Sequence, residues 1–216
     1  MKLRILTLGS LLSLCIAGLS GAQETQSPQV EIMKVDFSAK GDQWQMTDPQ
    51  AWQIKDATLS LFQKKSQYQP PVRSPLHIAW LKDMPWGDFQ LDVEILSTEK
   101  DYNHRDACLF FGFQSPTQFY YVHLGKKADK HANQIFIVDN AARKKISLTT
   151  TAGTPWDEQW HHVRLIRNLE SGSIEIYFDD MQKPIMTAED KSFGKGWIGL
   201  GSFDDTADFR NLTIRH

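Results

Sequence analysis

The residues most able to do chemistry fall in two neighbouring stretches. Tyr121 and His123 stand two apart in the apolar run 118–124, and His104, Arg105 and Asp106 close the polar segment that precedes the run 107–113. In a strand, residues two apart point to one face, so Tyr121 and His123 project together, in phase with Phe119. A neutral imidazole takes or gives a proton near pH 7, a phenol can bind or transfer one, and a guanidinium can clamp a carboxylate or a set of hydroxyls. The group therefore reads as proton-transfer machinery: His123 or His104 moves the proton, Tyr121 assists and Arg105 positions the ligand. Asp106, His131 and Asn133 stand where they could line the same rim and bind what is held there.

Other constellations are weaker. Asp92 and Glu94 share a strand face and could act as a catalytic pair, but a solvated face opposite Leu91 and Val93 is the expected reading. The acidic turn Asp204, Asp205 and Asp208 could hold calcium through oxygen ligands, as, less readily, could Asp139 and Asn140; beyond that no cofactor is indicated. His161 and His162 are adjacent, so in a strand they face opposite ways and cannot bind one zinc together. No glycine-rich phosphate loop, Ser-His-Asp arrangement or nucleotide fingerprint is present. The chain carries 7 Trp and 12 Phe; Trp80, Trp86 and Trp156 lie beside loops, where an exposed ring could stack on a flat ligand face.

The elements that must position these residues read as strands. Phe89, Leu91, Val93 and Ile95 alternate with polar neighbours, and Ile174, Ile176 and Phe178 do so in the second arm of a hairpin turned at Ser171-Gly172. The runs 107–113, 118–124 and 134–138 are apolar without helical period. Segments 30–37, 77–81, 144–149, 160–167, 196–200 and 209–214 bring the expected number to at least ten, with at most a short helical turn around Thr187 to Lys191. Segment 63–75, with Pro70, Pro71 and Pro75, reads as a surface loop. So many strands satisfy their edges by wrapping into two packed sheets, an all-β antiparallel jelly-roll sandwich.

The first 22 residues are expected to be a secretory signal: Lys2 and Arg4, an apolar run over 6–19, then Ser20-Gly21-Ala22 as the cleavage site. The run is short beside the ~20 residues of a spanning helix, so export to the periplasm or exterior is expected, without stable membrane insertion. Removal leaves one domain, 30–216 in its folded part, and one cysteine, Cys108, which suits a buried inert thiol. Loss of Lys2 and Arg4 takes the formal net charge from −2 to −4, which gives nucleic acid or an anionic membrane no electrostatic attraction.

The closing strands carry a resemblance. Trp160-His-His-Val-Arg-Leu-Ile-Arg167, Ile174-Glu-Ile-Tyr-Phe-Asp-Asp180, Gly196-Lys-Gly-Trp-Ile-Gly-Leu-Gly-Ser-Phe203 and Ala207-Asp-Phe-Arg-Asn-Leu-Thr-Ile214 resemble the concanavalin A-like lectin/glucanase superfamily, closest to its laminin G-like and 3-keto-disaccharide hydrolase-like members. The resemblance implies a carbohydrate partner, bound or cleaved on one sheet and its rim loops. Two readings stay open: a carbohydrate-processing, glycoside hydrolase-like enzyme acting through His123, Tyr121, His104 and Arg105, with His131, Asn133, Trp80, Trp86 and Asp106 binding its substrate, or a non-catalytic carbohydrate-binding or cell-surface structural module, its binding form using Trp and Tyr stacking with Asn and Asp hydrogen bonds. Glucanase relatives carry a Glu-x-Asp-x-x-Glu pattern, and Leu91-Asp-Val-Glu-Ile-Leu96 lacks its third carboxylate, which weakens that mechanism.

Overall fold

Strands make up nearly all the regular structure of the computed structural model, which describes residues 31–37, 43–82 and 84–216. The expected signal segment 1–22, the start of the domain at 30 and the Gly41-Asp42 turn lie outside the described residues. Sixteen strands form: β1 (Ile32–Lys34), β2 (Trp44–Met46), β3 (Trp52–Lys55), β4 (Thr58–Leu61), β5 (His77–Leu81), β6 (Phe89–Ser97), β7 (Cys108–Ser115), β8 (Gln118–His123), β9 (Gln134–Asp139), β10 (Lys144–Lys145), β11 (Ser147–Thr150), β12 (His161–Arg167), β13 (Ser173–Phe178), β14 (Met186–Glu189), β15 (Trp197–Ser202) and β16 (Ala207–Arg215). They pair antiparallel into a nine-stranded sheet, β11-β14-β13-β12-β6-β16-β4-β3 with β1 added to β16, and a seven-stranded sheet, β10-β9-β8-β7-β15-β5-β2. The two-sheet antiparallel sandwich expected from the sequence is the observed architecture.

The alternating strands belong to the nine-stranded sheet. Leu91, Val93 and Ile95 of β6 meet Leu165, Val163 and His161 of β12 in register, and the aliphatic residues of both enter the core between the sheets. Truncating one of them, such as Leu165→Ala, would cost about 2–5 kcal/mol through lost burial and the cavity left behind. Where a helical turn was expected near Thr187, β14 forms instead, because Met186 and Ala188 pair with β13 and bury beside Ile174 and Ile176. Among the described residues helical structure is limited to 3-10 geometry, as in the turn Pro49–Ala51.

The seven-stranded sheet has no alternation because both of its faces are buried. Leu109 and Phe111, Tyr120 and Val122, Ile135 and Ile137 face the core, whereas Ile78, Trp80, Cys108, Phe110, Phe113, Phe119, Tyr121, Phe136 and Val138 form a second cluster on the outer face. Gly112 sits at φ +57 where the register of β7 shifts, a bulge conformation that favours glycine. The proline-rich segment 63–75 straps this outer face. Asp48, just after β2, accepts from the backbone of Gln67 (2.7 Å); Arg143, just before β10, donates its backbone N–H to Arg73 O (3.0 Å). These anchors flank opposite edges of the sheet, and Val72 packs on the aromatic cluster between them.

Candidate functional site

A pocket of about 240 Å³ opens where β7 begins and β8 and β15 end, lined by Arg73, Tyr102, His104, Asp106, His123, His131, Arg143, Phe203 and Asp204. Five segments distant in sequence supply it: the strap, the β6–β7 loop, the β8–β9 loop, the β9–β10 turn and the turn after β15. The turn of chain beyond His123 needs Gly125, since a Cβ there would come within 2.9 Å of Ala132 Cβ and Asn133 N. Asp129 ties the loops, accepting from the backbone of His131 and Ala132 (2.6 and 2.8 Å) and lying 3.2 Å from His104 Nε2.

Asp106 is the buried centre, 1% exposed. Its Oδ1 accepts from Ser202 Oγ (2.7 Å) and Phe203 N (3.0 Å). Its Oδ2 has no hydrogen-bond partner and lies 3.4 Å from His123 Nε2. Burial, and then the neighbouring Asp205 carboxylate, push the Asp106 carboxyl up to about 7. Burial, followed by the Arg143 charge, pushes the His123 imidazole down to about 3, so His123 is neutral and a weak base at ordinary pH. Burial also raises Asp204, with Asp106 and Asp205 adding to it.

Asp106, Asp204 and Asp205 bring carboxylate oxygens within 4.8 Å of one another. Three such oxygens, one of them an orphan buried acceptor, fit a hard divalent cation such as calcium. The protein also supplies its own positive charge there: Lys64 Nζ lies 2.9 Å from Asp205 Oδ1 and 3.0 Å from Glu99, while Tyr102 Oη donates to Asp205 Oδ2 (2.6 Å). Asp208, grouped with this turn by sequence, stands instead in β16 opposite Ser60 and Leu96.

Of the residues singled out by sequence, His104, His123, His131, Asp106 and Asp204 meet in the pocket, whereas the proposed catalytic pair Arg105 and Tyr121 and the binding residues Asn133, Trp80 and Trp86 do not. Arg105, 3% exposed, turns away to donate to Ser97 Oγ (2.8 Å), Ser97 O (2.6 Å) and Asp157 O (2.6 Å). Tyr121 lies beneath the pocket in the outer-face cluster, where its hydroxyl accepts from Arg143 Nη1 (2.7 Å); burial drives its ionisation well above the ordinary phenol value. Asn133 is an internal brace, donating to Thr150 and Thr151 and accepting from Thr154 (2.8 Å). Trp80 stacks on Phe113 at 4.3 Å inside the cluster, and Trp86 bridges to Gly196 at the far end of the sandwich. Trp156 is buried with its indole N–H on Leu124 O (2.6 Å), so none of these three rings is an exposed platform. Asp92 is tied up by Gln90, Arg164 and Arg215, and Glu94 by Arg210.

Arg73, Tyr102, Arg143 and Phe203 were not singled out by sequence. Arg143 lies in the unremarked basic run Arg143-Lys144-Lys145, and its Cζ stands 4.8 Å from the Phe136 ring and 4.1 Å from the Phe203 ring. The alternation that puts Phe136 on the outer face was the one available hint.

The chain matches no protein-family model and no curated protein sequence. It does resemble solved structures. The carbohydrate binding module CBM66 from Bacillus subtilis superposes with a TM-score of 0.61 at 19% identity, covering 81% of this chain and 96% of that one. Winged bean acidic lectin, complexed with methyl-alpha-D-galactose, gives 0.54 at 12% identity over 87% and 98%. A prokaryotic beta-1,3-1,4-glucanase (lichenase) derived from a mouse hindgut metagenome gives 0.51 at 14% identity over 85% and 98%. Identities this low speak to architecture alone, and on that ground the chain has the concanavalin A-like jelly-roll fold.

Proposed function

We propose that this chain is an exported, non-catalytic carbohydrate-binding module whose sugar site is the pocket around His123, Asp204 and Arg143. One observation carries the reading: carboxylates, guanidinium groups, imidazoles and the Phe203 ring converge on a cavity of about 240 Å³. That is below the roughly 300–1,000 Å³ of pockets for drug-sized ligands, and suits a single sugar ring. Carboxylates accept from vicinal hydroxyls, guanidinium groups donate to ring and hydroxyl oxygens, and an aromatic face packs the apolar side of a sugar. The likeness to a carbohydrate binding module and a lectin supports this reading, and the N-terminal 1–22 pattern supports export.

Binding is favoured over turnover by the state of the proposed proton carriers. His123 is too weak a base, His104 is engaged by Asp129 (3.2 Å), Tyr121 is spent on Arg143, and Arg105 faces another part of the molecule. Glycoside hydrolysis needs two carboxyl groups on either side of the scissile bond, whereas Asp106 and Asp204 sit side by side in one acidic cluster. The test is affinity electrophoresis and calorimetry of the purified mature chain against a polysaccharide panel, with product release followed in parallel. Retention without release, lost in Asp204→Ala, is the expected result. Release of sugar would establish the hydrolase reading instead, and no retention on any glycan would refute a carbohydrate site.

A further inference from the structure

Arg143 is charged, partly buried and unmatched. Its Nη1 donates to Tyr121 Oη (2.7 Å), and the rings of Phe136 and Phe203 lie 4.8 and 4.1 Å from its Cζ. Nε is buried with no hydrogen-bond partner, Nη2 makes no hydrogen bond, and no carboxylate forms an ion pair with Arg143 among the described residues. Arg164, Arg210 and Arg215, by contrast, are each paired with Asp92 or Glu94. A buried charged donor left unsatisfied is costly, so this guanidinium is held ready by Tyr121 and two rings for an acceptor that the protein does not provide. Nη2, a terminal nitrogen of the guanidinium, is left without an acceptor, and a carboxylate that meets it makes a charge-assisted hydrogen bond.

A second guanidinium, Arg73, lines the same pocket, carried there by the strap. Asp106 and Asp204 complete the lining. A simple inorganic anion would meet those carboxylates with nothing to donate, whereas a ligand bearing both an acid group and hydroxyls satisfies both sets. We infer that the pocket selects a sugar acid, a uronate-type residue whose carboxylate meets Arg143 and Arg73 while its hydroxyls donate to Asp106 and Asp204. This inference rests on the carbohydrate-binding reading and goes further by assigning the ligand's charge.

The experiment compares each acidic oligosaccharide with its own carboxyl-reduced form. Oligomers of galacturonate, glucuronate, mannuronate and guluronate, and the reduced counterpart of each, are titrated calorimetrically into the full mature chain. At least one acid form should bind roughly 10- to 100-fold more tightly than its reduced partner, the range expected for a charge-assisted pair. That preference should disappear in Arg143→Gln and shrink in Arg143→Lys, which keeps charge without the fork. Arg73→Gln, at an exposed strap position, supplies a second variant should Arg143→Gln unfold. Equal binding of acid and reduced forms, or binding of neutral glycans only, would overturn the inference and leave the carbohydrate site standing. Binding of neither would refute both.

Discussion

Replacing Asp106 with asparagine should stabilise the protein, and by an amount that depends on pH. The carboxyl is held at about 7 against an ordinary value of 3.8, so its folded value lies above its unfolded one. Its favourable contribution is then complete below pH ~4 and is lost as pH rises to about 7, because the unfolded chain ionises Asp106 freely while the folded chain resists. Three units at about 1.36 kcal/mol each give about 4 kcal/mol between these limits. Asparagine keeps the Oδ1 acceptor for Ser202 and Phe203 N, and its amide can donate towards His123 Nε2, 3.4 Å from the present Oδ2. Asp106→Asn should therefore match the parent near pH 4.5 and exceed it by as much as about 4 kcal/mol at pH 8, or about 8–16 °C in Tm at this chain length. Urea unfolding across pH 4.5–8.5, in the presence of a chelator so that no cation neutralises the cluster, measures the difference. His123 titrates in both proteins and cancels. A difference that stays flat with pH would refute the burial argument for Asp106.

Further outcomes follow from other positions. Arg105→Met should cost about 2–4 kcal/mol in urea unfolding, because Ser97 O and Asp157 O lose their donor, while calorimetric glycan affinity stays unchanged. Lost affinity would return Arg105 to the site. Ala57→Gly should add about 0.5–1 kcal/mol in the same assay, since Asp56 and Ala57 sit at φ 50 and 56 in the two-residue β3–β4 turn, a conformation glycine adopts without steric cost. Gly201→Ala should prevent folding, as judged by loss of near-ultraviolet circular dichroism. The new methyl would overlap the His77 carbonyl, where β15 pairs with β5. His123 supplies a falling limb at low pH: held at about 3 against 6.5, it contributes stability above pH ~6.5 that is lost as pH falls towards 3. His123→Gln should flatten that limb in thermal melts from pH 3 to 7.

The sandwich was legible because strand periodicity and turn chemistry are local. Alternation in β6 and β13 reports one buried face, and the unbroken apolar runs of β7 to β9 report two. At the β3–β4 turn the sequence marks only a break at Lys55-Asp56 ahead of the run 57–62, because Asp56-Ala57 achieves a primed turn without Asn or Gly. The short strand β14 was legible only at its start: the sequence offers a short strand-like segment near Pro184-Ile185-Met186, but the continuation to Glu189 gains its conformation from pairing with β13 rather than from its own residues. The site was half legible for a related reason. His104, Asp106, His123 and His131 could be nominated by residue type, but whether a side chain on a loop faces the pocket depends on tertiary partners. Arg105 and Asp106 are neighbours, and one braces Ser97 while the other lines the cavity.

Filling the outer face of the seven-stranded sheet has a consequence for where a ligand can bind. An uncovered outer face would offer a long aromatic floor; by sequence Trp80 stands beside a loop, where an exposed ring could stack on a ligand. Here Trp80 stacks on Phe113 and Phe113 on Phe119, with Tyr121 tilted against Phe119, beneath a strap anchored near both sheet edges. Opening that strap would expose several aromatic side chains, each burying about 150–250 Å², at a cost that no single sugar ring repays. On the proposed reading, the outer face is closed to a sugar and binding falls to the loop end of the sheet, where Arg73 at the strap's last anchor forms part of the wall. The strap thus does two things at once: it completes a second hydrophobic core, and it leaves a small pocket at the loop end with a cation, Arg73, in its wall. Shortening the strap by removing Gln69, Pro70 and Pro71 should uncouple the two, lowering Tm and raising binding of the dye ANS, and at the same time displacing Arg73. If the deletion left Tm unchanged, the strap would have no part in the core and the confinement argument would fall.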